Sequence, residues 1–267
     1  MRRLRATALG ASIVAGLALS AGATAPLRVC ADPANLPFSN SQGEGFENQL
    51  AALVARDLGT TVAYTWQRQR GDFLNATLLA RTCDVVMGYP AHVPQIATTV
   101  PYYRSTYVWV SQRSRALHIR SYDDPVLTRL RIGVQFSGDD ASSPPAQALG
   151  RRGIAAGHLV GFVAVSEEPG AAAPADIVTA VARGAIDVAA VWGPLAGYYA
   201  ARQPVPLALT PVTPQIDGRM PQAFDIAMAT RAGDTRLARL NQFIRQHHRD
   251  IDAVLDRYHV PRVEPES

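Results

Sequence analysis

Neither of the two cysteines in these 267 residues, Cys30 and Cys83, belongs to a Cys-x-x-Cys pair, so a dithiol redox centre is not expected. The six histidines (His92, His118, His158, His247, His248, His259) show no metal-ligand spacing, so no metal site is expected. No Gly-x-Ser-x-Gly elbow, P-loop or dinucleotide glycine pattern occurs, which removes the common hydrolase, nucleotide and nicotinamide chemistries. The acidic pairs Asp123-Asp124, Asp139-Asp140 and Glu167-Glu168 are adjacent in sequence, the pattern of solvated turns and not of an acid–base dyad. No internal repeat is visible, and no apolar run beyond the N-terminal region approaches the length of a membrane span. The chain therefore reads as no enzyme.

The N-terminal region is an export signal by pattern. Met1-Arg2-Arg3-Leu4-Arg5 is basic, Ala6 to Ser20 is apolar and rich in small residues, and Ala21-Gly22-Ala23 offers a cleavage site. A cut after Ala25 would put Pro26 just past the scissile bond, so residues 1–23 are expected to leave and the remainder to lie in the periplasm with no membrane span. Three arginines leave with the signal, lowering the formal net charge from +4 to +1 and removing the case for a nucleic-acid partner. What remains, in a chain with 48% hydrophobic and 18% charged residues, has the composition of a folded protein long enough for two lobes.

The remainder is organised around residues 27–47. Leu27 to Ala31 reads as a short buried strand stopped by Asp32-Pro33, a loop carries Phe38, Ser39 and Asn40, and a helix starts at Phe46 and ends at Gly59. Thr61 to Trp66, Phe73 to Arg81 and Cys83 to Gly88 then give strand, helix and strand, the pattern of a parallel sheet. Thr98 to Gln112 is expected to cross to a second lobe, where Arg131 to Gln135, Ser143 to Leu149, Val160 to Val165, Pro174 to Arg183 and Ile186 to Val191 repeat the outline. Leu207 to Leu209 and Phe224 to Ala229 would return to the first lobe, closed by helices over Thr235 to Arg249 and Ile251 to Tyr258. Glu167 to Pro174 is the most linker-like stretch, and Pro261 onward a polar tail. The expected fold is α/β, two lobes with mostly parallel sheets flanked by helices and two crossover hinge strands. Lobe one takes 24–112 and 215–267, lobe two 113–214. Cys30 and Cys83 lie on strands expected to be neighbours, either bridged or as two small buried apolar residues.

The wording CADPANLPFSN and GEGFEN, with CDVVMGYPA, TTVPYYRSTYVWV, DVAAVWGPLAGYYA and MPQAFDIAM, resembles type II periplasmic solute-binding proteins. Within them it resembles most the MxaJ/XoxJ-type methanol-oxidation branch. That resemblance implies a periplasmic accessory role toward a PQQ-dependent (quinoprotein) methanol or alcohol dehydrogenase. The PQQ would belong to the partner, and no cofactor of the chain's own is expected. A small-molecule ligand is compatible with the fold, and the alternative is an ABC-transporter receptor for a small non-amino-acid solute.

Ligands of such folds lie at the carboxyl ends of strands and at the crossovers. The candidates are Asp32, Phe38, Ser39, Tyr89, Tyr103 and Arg104 from the first lobe and hinge, and Ser137, Gly138 and Trp192 from the second. Phe38 and Trp192 could sandwich an apolar group and Arg104 could pair with an anion, or all three could serve packing and the hinge. Amino-acid receptors of this fold carry an arginine after the strand matching Asp84 to Gly88 and an aspartate after the one matching Ile186 to Val191. Here those places hold YPAHVPQIATT and Trp192-Gly193, which disfavours a zwitterionic amino acid. Glu44 and Glu47 could serve a cleft enzyme, but Glu47 is explained by the dipole of the helix it opens.

Overall fold

A strand without polar alternation needs cover on both faces, and Leu27–Ala31 (β1) has it: Leu27, Val29, Cys30 and Ala31 are all buried. The computed structural model describes residues 25–137, 141–163 and 174–266, except for the side chains of 137, 141 and 142. The expected signal over residues 1–23 and most of the linker-like stretch from Glu167 lie outside the described residues.

The helix Phe46–Asp57 (α1) covers one face of β1 because Phe46, Leu50, Val54 and Ala55 recur at helical spacing, and all four are buried. Val62–Trp66 (β2) pairs in parallel with β1 on one side. Phe73–Ala76 (α2) is a single turn, where the sequence suggests a helix to Arg81. The backbone leaves helical geometry at Thr77 (φ −123°, ψ −84°), and the buried Thr77 hydroxyl donates to the Phe73 carbonyl at 2.5 Å. Val85–Pro90 (β3) then pairs in parallel with the other side of β1.

Tyr103–Gln112 (β4) joins the two halves of the sheet. Ile132–Ser137 (β5), Pro144–Arg151 (α3), Leu159–Val163 (β6), Asp176–Ala182 (α4), Val188–Trp192 (β7) and Gly193–Ala200 (α5) build the second half, with β5 running parallel to both β6 and β7. Leu207–Pro211 (β8) pairs antiparallel with β4 at Val108 to Gln112 and so stays with the second half, against the expectation that it returns. The return is made by Ala223–Arg231 (β9), antiparallel to both β3 and the start of β4, from Tyr103 to Thr106. From Tyr107 onward β4 pairs instead with β7 and β8, so the strand changes partners in mid-course. The order β6-β5-β7-β4-β9-β3-β1-β2 is mixed: a parallel trio in each half, joined by antiparallel strands.

Arg236–Gln246 (α6) and His248–Arg257 (α7) close the first half, packing Leu240, Phe243, Val254 and Leu255 against Phe46, Leu50 and Val54 of α1. Each such side chain contributes roughly 1.5–3 kcal/mol of burial. In the second half Ile132, Val134 and Leu149 cover one face, and Ile177, Val181 and Val191 the other. The polar tail is not free: Ser105 Oγ donates to the Pro261 carbonyl at 2.6 Å and Gln215 Nε2 to the Glu264 carbonyl at 2.6 Å. Cys30 and Cys83 are joined by a disulfide, with Cα atoms 5.5 Å apart, between Phe73 and Leu78.

Candidate functional site

Two of the nine candidate residues build the site without facing it. Asp32 and Ser39 are buried, and Ser39 Oγ donates to the Asp32 carbonyl at 2.8 Å while accepting from the Asp32 N–H at 3.2 Å. The Asp32 carboxylate accepts from the N–H groups of Ala34 and Gln69, each at 2.8 Å, with Arg68 at 3.5 Å. These bonds fix the loop after β1 and present Phe38. The Phe38 carbonyl accepts the Glu47 N–H at 2.9 Å, and the approach is so close that a Cβ at Gly45 would fall on that carbonyl. Asn48 Oδ1 accepts from both Gly45 and Asn40 N–H at 3.0 Å, satisfying the start of α1 by a side chain from its own first turn.

A cavity of ≈ 470 Å³ opens between the halves of the sheet, and Phe38, Tyr89, Tyr103 and Trp192 line it as expected for cleft residues. Arg104 does not. Its Nη1 pairs with Asp225 at 3.0 Å and its Nε donates to Gln215 at 3.0 Å, in a separate depression beside the C-terminal tail. Its donors are engaged by Asp225 of β9 and by Gln215 in the segment before it. Ser137 ends β5 but its side chain lies outside the described residues, as does Gly138.

Twelve further residues line it, among them Tyr107, Gln135, Ser143 and Phe224, which sequence reasoning does not select, and Glu47, which it names only as a possible acid of a cleft enzyme. Gln135 is the most legible of them afterwards, a lone polar residue near the carboxyl end of an apolar strand. It is buried, and its Oε1 accepts from the Trp192 N–H at 3.4 Å. Tyr107, Trp192 and Phe224 form an edge-on aromatic group, with ring centroids 5.4 and 5.7 Å from Trp192. Phe38, Phe46 and Tyr103 form another. The buried Ser143 hydroxyl, before α3, has no hydrogen-bond partner among the described residues.

Glu47 stands in the first turn of α1, where the helix dipole favours a negative charge. Burial pushes its carboxyl up to about 8, which a helix dipole alone would lower. No ion pair or hydrogen bond to its carboxylate is present among the described residues. Its Oε1 lies against Gly88, in the space that a Cβ there would take. Burial, and then the charge of Glu47, raise the Tyr103 phenol, and Tyr102 is raised by burial first as well, so both stay protonated. The described lining therefore offers aromatic rings, a few amides and hydroxyls, one acid and no cation. It has no means of pairing both ends of a zwitterion. No cluster of metal-ligating side chains occurs among the described residues, and no helix there is long and apolar enough to cross a membrane.

No protein-family model matches the chain. Protein MoxJ of Methylorubrum extorquens is 34% identical over 244 residues, covering 88% of this chain and 81% of the relative. The crystal structure of the periplasmic binding protein XoxJ from Methylobacterium extorquens AM1 superposes with a TM-score of 0.74 at 32% identity, covering 89% of this chain and 99% of that one. MxaJ from Methlophaga aminisulfidivorans MPT gives the same TM-score, 0.74, at 29% identity, over 89% of this chain and 100% of the other.

Proposed function

This chain belongs to the MoxJ/XoxJ/MxaJ-type family of periplasmic binding proteins, and from that membership we propose that it is an exported accessory factor for periplasmic methanol or alcohol oxidation. In this reading residues 1–23 direct export, and the mature protein assists or activates a quinoprotein dehydrogenase that carries the PQQ. The cleft holds a segment of the partner or a ligand related to its cofactor. The observation that carries the proposal is the cavity itself: it is walled by aromatic rings and, among its described residues, lacks the arginine that grips an amino-acid carboxylate. A site of that kind favours an apolar or planar guest over a free amino acid.

The test is a pull-down from periplasm with the tagged protein over residues 24–267, read by mass spectrometry. Near-stoichiometric recovery of a quinoprotein dehydrogenase supports the accessory role. Recovery of no dehydrogenase, together with a co-purifying small solute, sinks it.

A second reading rests on the same cavity lying between the halves of a binding-protein fold: a transport receptor for a non-amino-acid solute. That reading requires a solute to stabilise the fold by mass action, about 2.7 kcal/mol at a hundredfold excess over Kd. A thermal-shift screen of small solutes with no response removes it.

A further inference from the structure

We infer that the cavity takes an organic cation, an ammonium or guanidinium on an apolar body without a free carboxylate, and that Glu47 supplies the counter-charge. The inference deepens the proposed cleft-binding role and rests on the cavity being the binding site. Three observations converge on it. Glu47 faces the cavity with no ion pair or hydrogen bond to its carboxylate among the described residues, so a charge that the fold could have paired is left for a guest. The rings of Phe38, Tyr103, Trp192 and Phe224 line the same space. On the second half Ser143 lines the cavity, and its buried hydroxyl has no hydrogen-bond partner among the described residues.

An anion would meet a carboxylate and the negative faces of rings, and no described cation lines the cavity to hold it. A neutral guest would leave Glu47 to be satisfied by its own proton. A cation removes that need, because it restores to the carboxylate the interaction that burial withholds.

The titratable groups that face Glu47 are phenols. Tyr64 of β2, Tyr102 before β4 and Tyr103 of β4 feel its charge, and Tyr89 of β3 lines the cavity with it. All four are raised above their ordinary value, chiefly by burial, and remain neutral near pH 7. Glu47 is thus the group that changes charge there. With its carboxyl pushed up to about 8, the empty site is mostly protonated at pH 7. Entry of an ammonium leaves a carboxylate–ammonium pair in the cavity and sends the carboxyl proton to solvent, close to one proton per guest.

The experiment is calorimetric titration of the full mature chain with n-hexylammonium, with n-hexanol as the uncharged match, in buffers of different ionisation enthalpy. n-Hexylammonium stays charged throughout, like a lysine side chain. The expected result is proton release on binding at pH 7 and an affinity about tenfold or more tighter at pH 8.5 than at pH 6.5. Glu47→Gln should abolish the pH dependence and weaken n-hexylammonium by about tenfold at pH 8.5, while n-hexanol, which reports an intact cavity, still binds.

Equal affinity of the two probes overturns the inference, and so does a Glu47→Gln variant that binds n-hexylammonium unchanged. Affinity that falls as pH rises would mean that the neutral acid is the binding form, and overturns it as well. A blocked tripeptide, N-acetyl-Ala-Lys-Ala-amide, identifies the source of the cation. Tighter binding of the tripeptide assigns a partner's side chain, tighter binding of n-hexylammonium a free amine, and binding of neither removes the cation site. Loss of the dehydrogenase in the pull-down would overturn the accessory role and leave a measured cation site standing.

Discussion

Asp84 and Glu47 are acids at opposite ends of the same strand region, and the fold treats them in opposite ways. Asp84 stands just before β3, buried, with Arg28 at 2.7 Å, Arg231 at 2.6 Å and Arg236 at 3.2 Å. Burial alone would raise its carboxyl, but hydrogen bonds from Arg28 and Arg231 and the charge of Arg236 outweigh that and hold it at about 2. Glu47 stands over Gly88 near the other end of β3, where burial acts unopposed and pushes it up to about 8. The amino edge of this parallel trio is finished as structure, and its carboxyl edge is left open. An uncompensated acid is costly to fold, so its presence at the cavity points to a site and not to a scaffold.

Breaking the finished edge should have the largest effect. Asp84→Asn leaves three guanidinium groups around a neutral amide and is expected to destabilise the protein by about 3 kcal/mol at pH 7, measured by urea unfolding. The charge-dependent part has a defined sign. The folded-state pKa is depressed from 3.8 to about 2, so the stabilisation is present above pH 3.8 and lost as pH falls through 2. A variant as stable as the parent at pH 7 would show that the three arginines do not depend on Asp84.

The open edge should respond with the opposite sign. A raised carboxyl costs the fold nothing below the unfolded value of 4.5, and the full penalty is reached above about 8. Glu47→Gln is therefore expected to match the parent near pH 4 and to exceed it by about 2 kcal/mol at pH 9, a figure reduced from the full shift because the side chain keeps some access to solvent. The two unfolding series should be run across this pH range. Destabilisation at pH 9 would mean that a partner pairs with the carboxylate.

The finished edge was partly legible in the sequence, and the open one was not. Cys83 and Asp84 sit at the start of an obvious buried strand, and the disulfide partner Cys30 lies on its predicted neighbour. The parallel trios follow from runs such as Leu27 to Ala31 and Val85 to Met87, whose faces must both be covered. Side-chain direction is harder. Phe38, Tyr89, Tyr103 and Trp192 reach the cavity because a strand end or its loop aims them there, but the same rule selects Arg104, which turns to Asp225 and Gln215, and Asp32 and Ser39, whose polar groups turn to local partners. Short polar side chains next to free backbone groups are spent on the loop itself. Leu207 to Pro211 misleads for a related reason: a short apolar strand fits either half equally well, and only its pairing with β4 decides.

The smallest expected effect concerns the joint between the two edges, the first turn of α1. Asn48 is buried and its Oδ1 accepts from the N–H groups of Gly45 and Asn40, so it ties the start of the helix to the loop that carries Phe38. Replacing it leaves two buried donors without a partner at that point, while the apolar face of α1 remains packed on Leu240 and Phe243. Asn48→Ala is therefore expected to cost about 1 kcal/mol, in the range of a lost helix cap, with no dependence on pH between 5 and 9. Hydrogen exchange should show the loss confined to residues 38–48, with β3 and the Asp84 cluster still protected. If protection around Asp84 fell as well, the open edge would be coupled to the finished one, and the independence on which the contrast between Asp84 and Glu47 depends would fail.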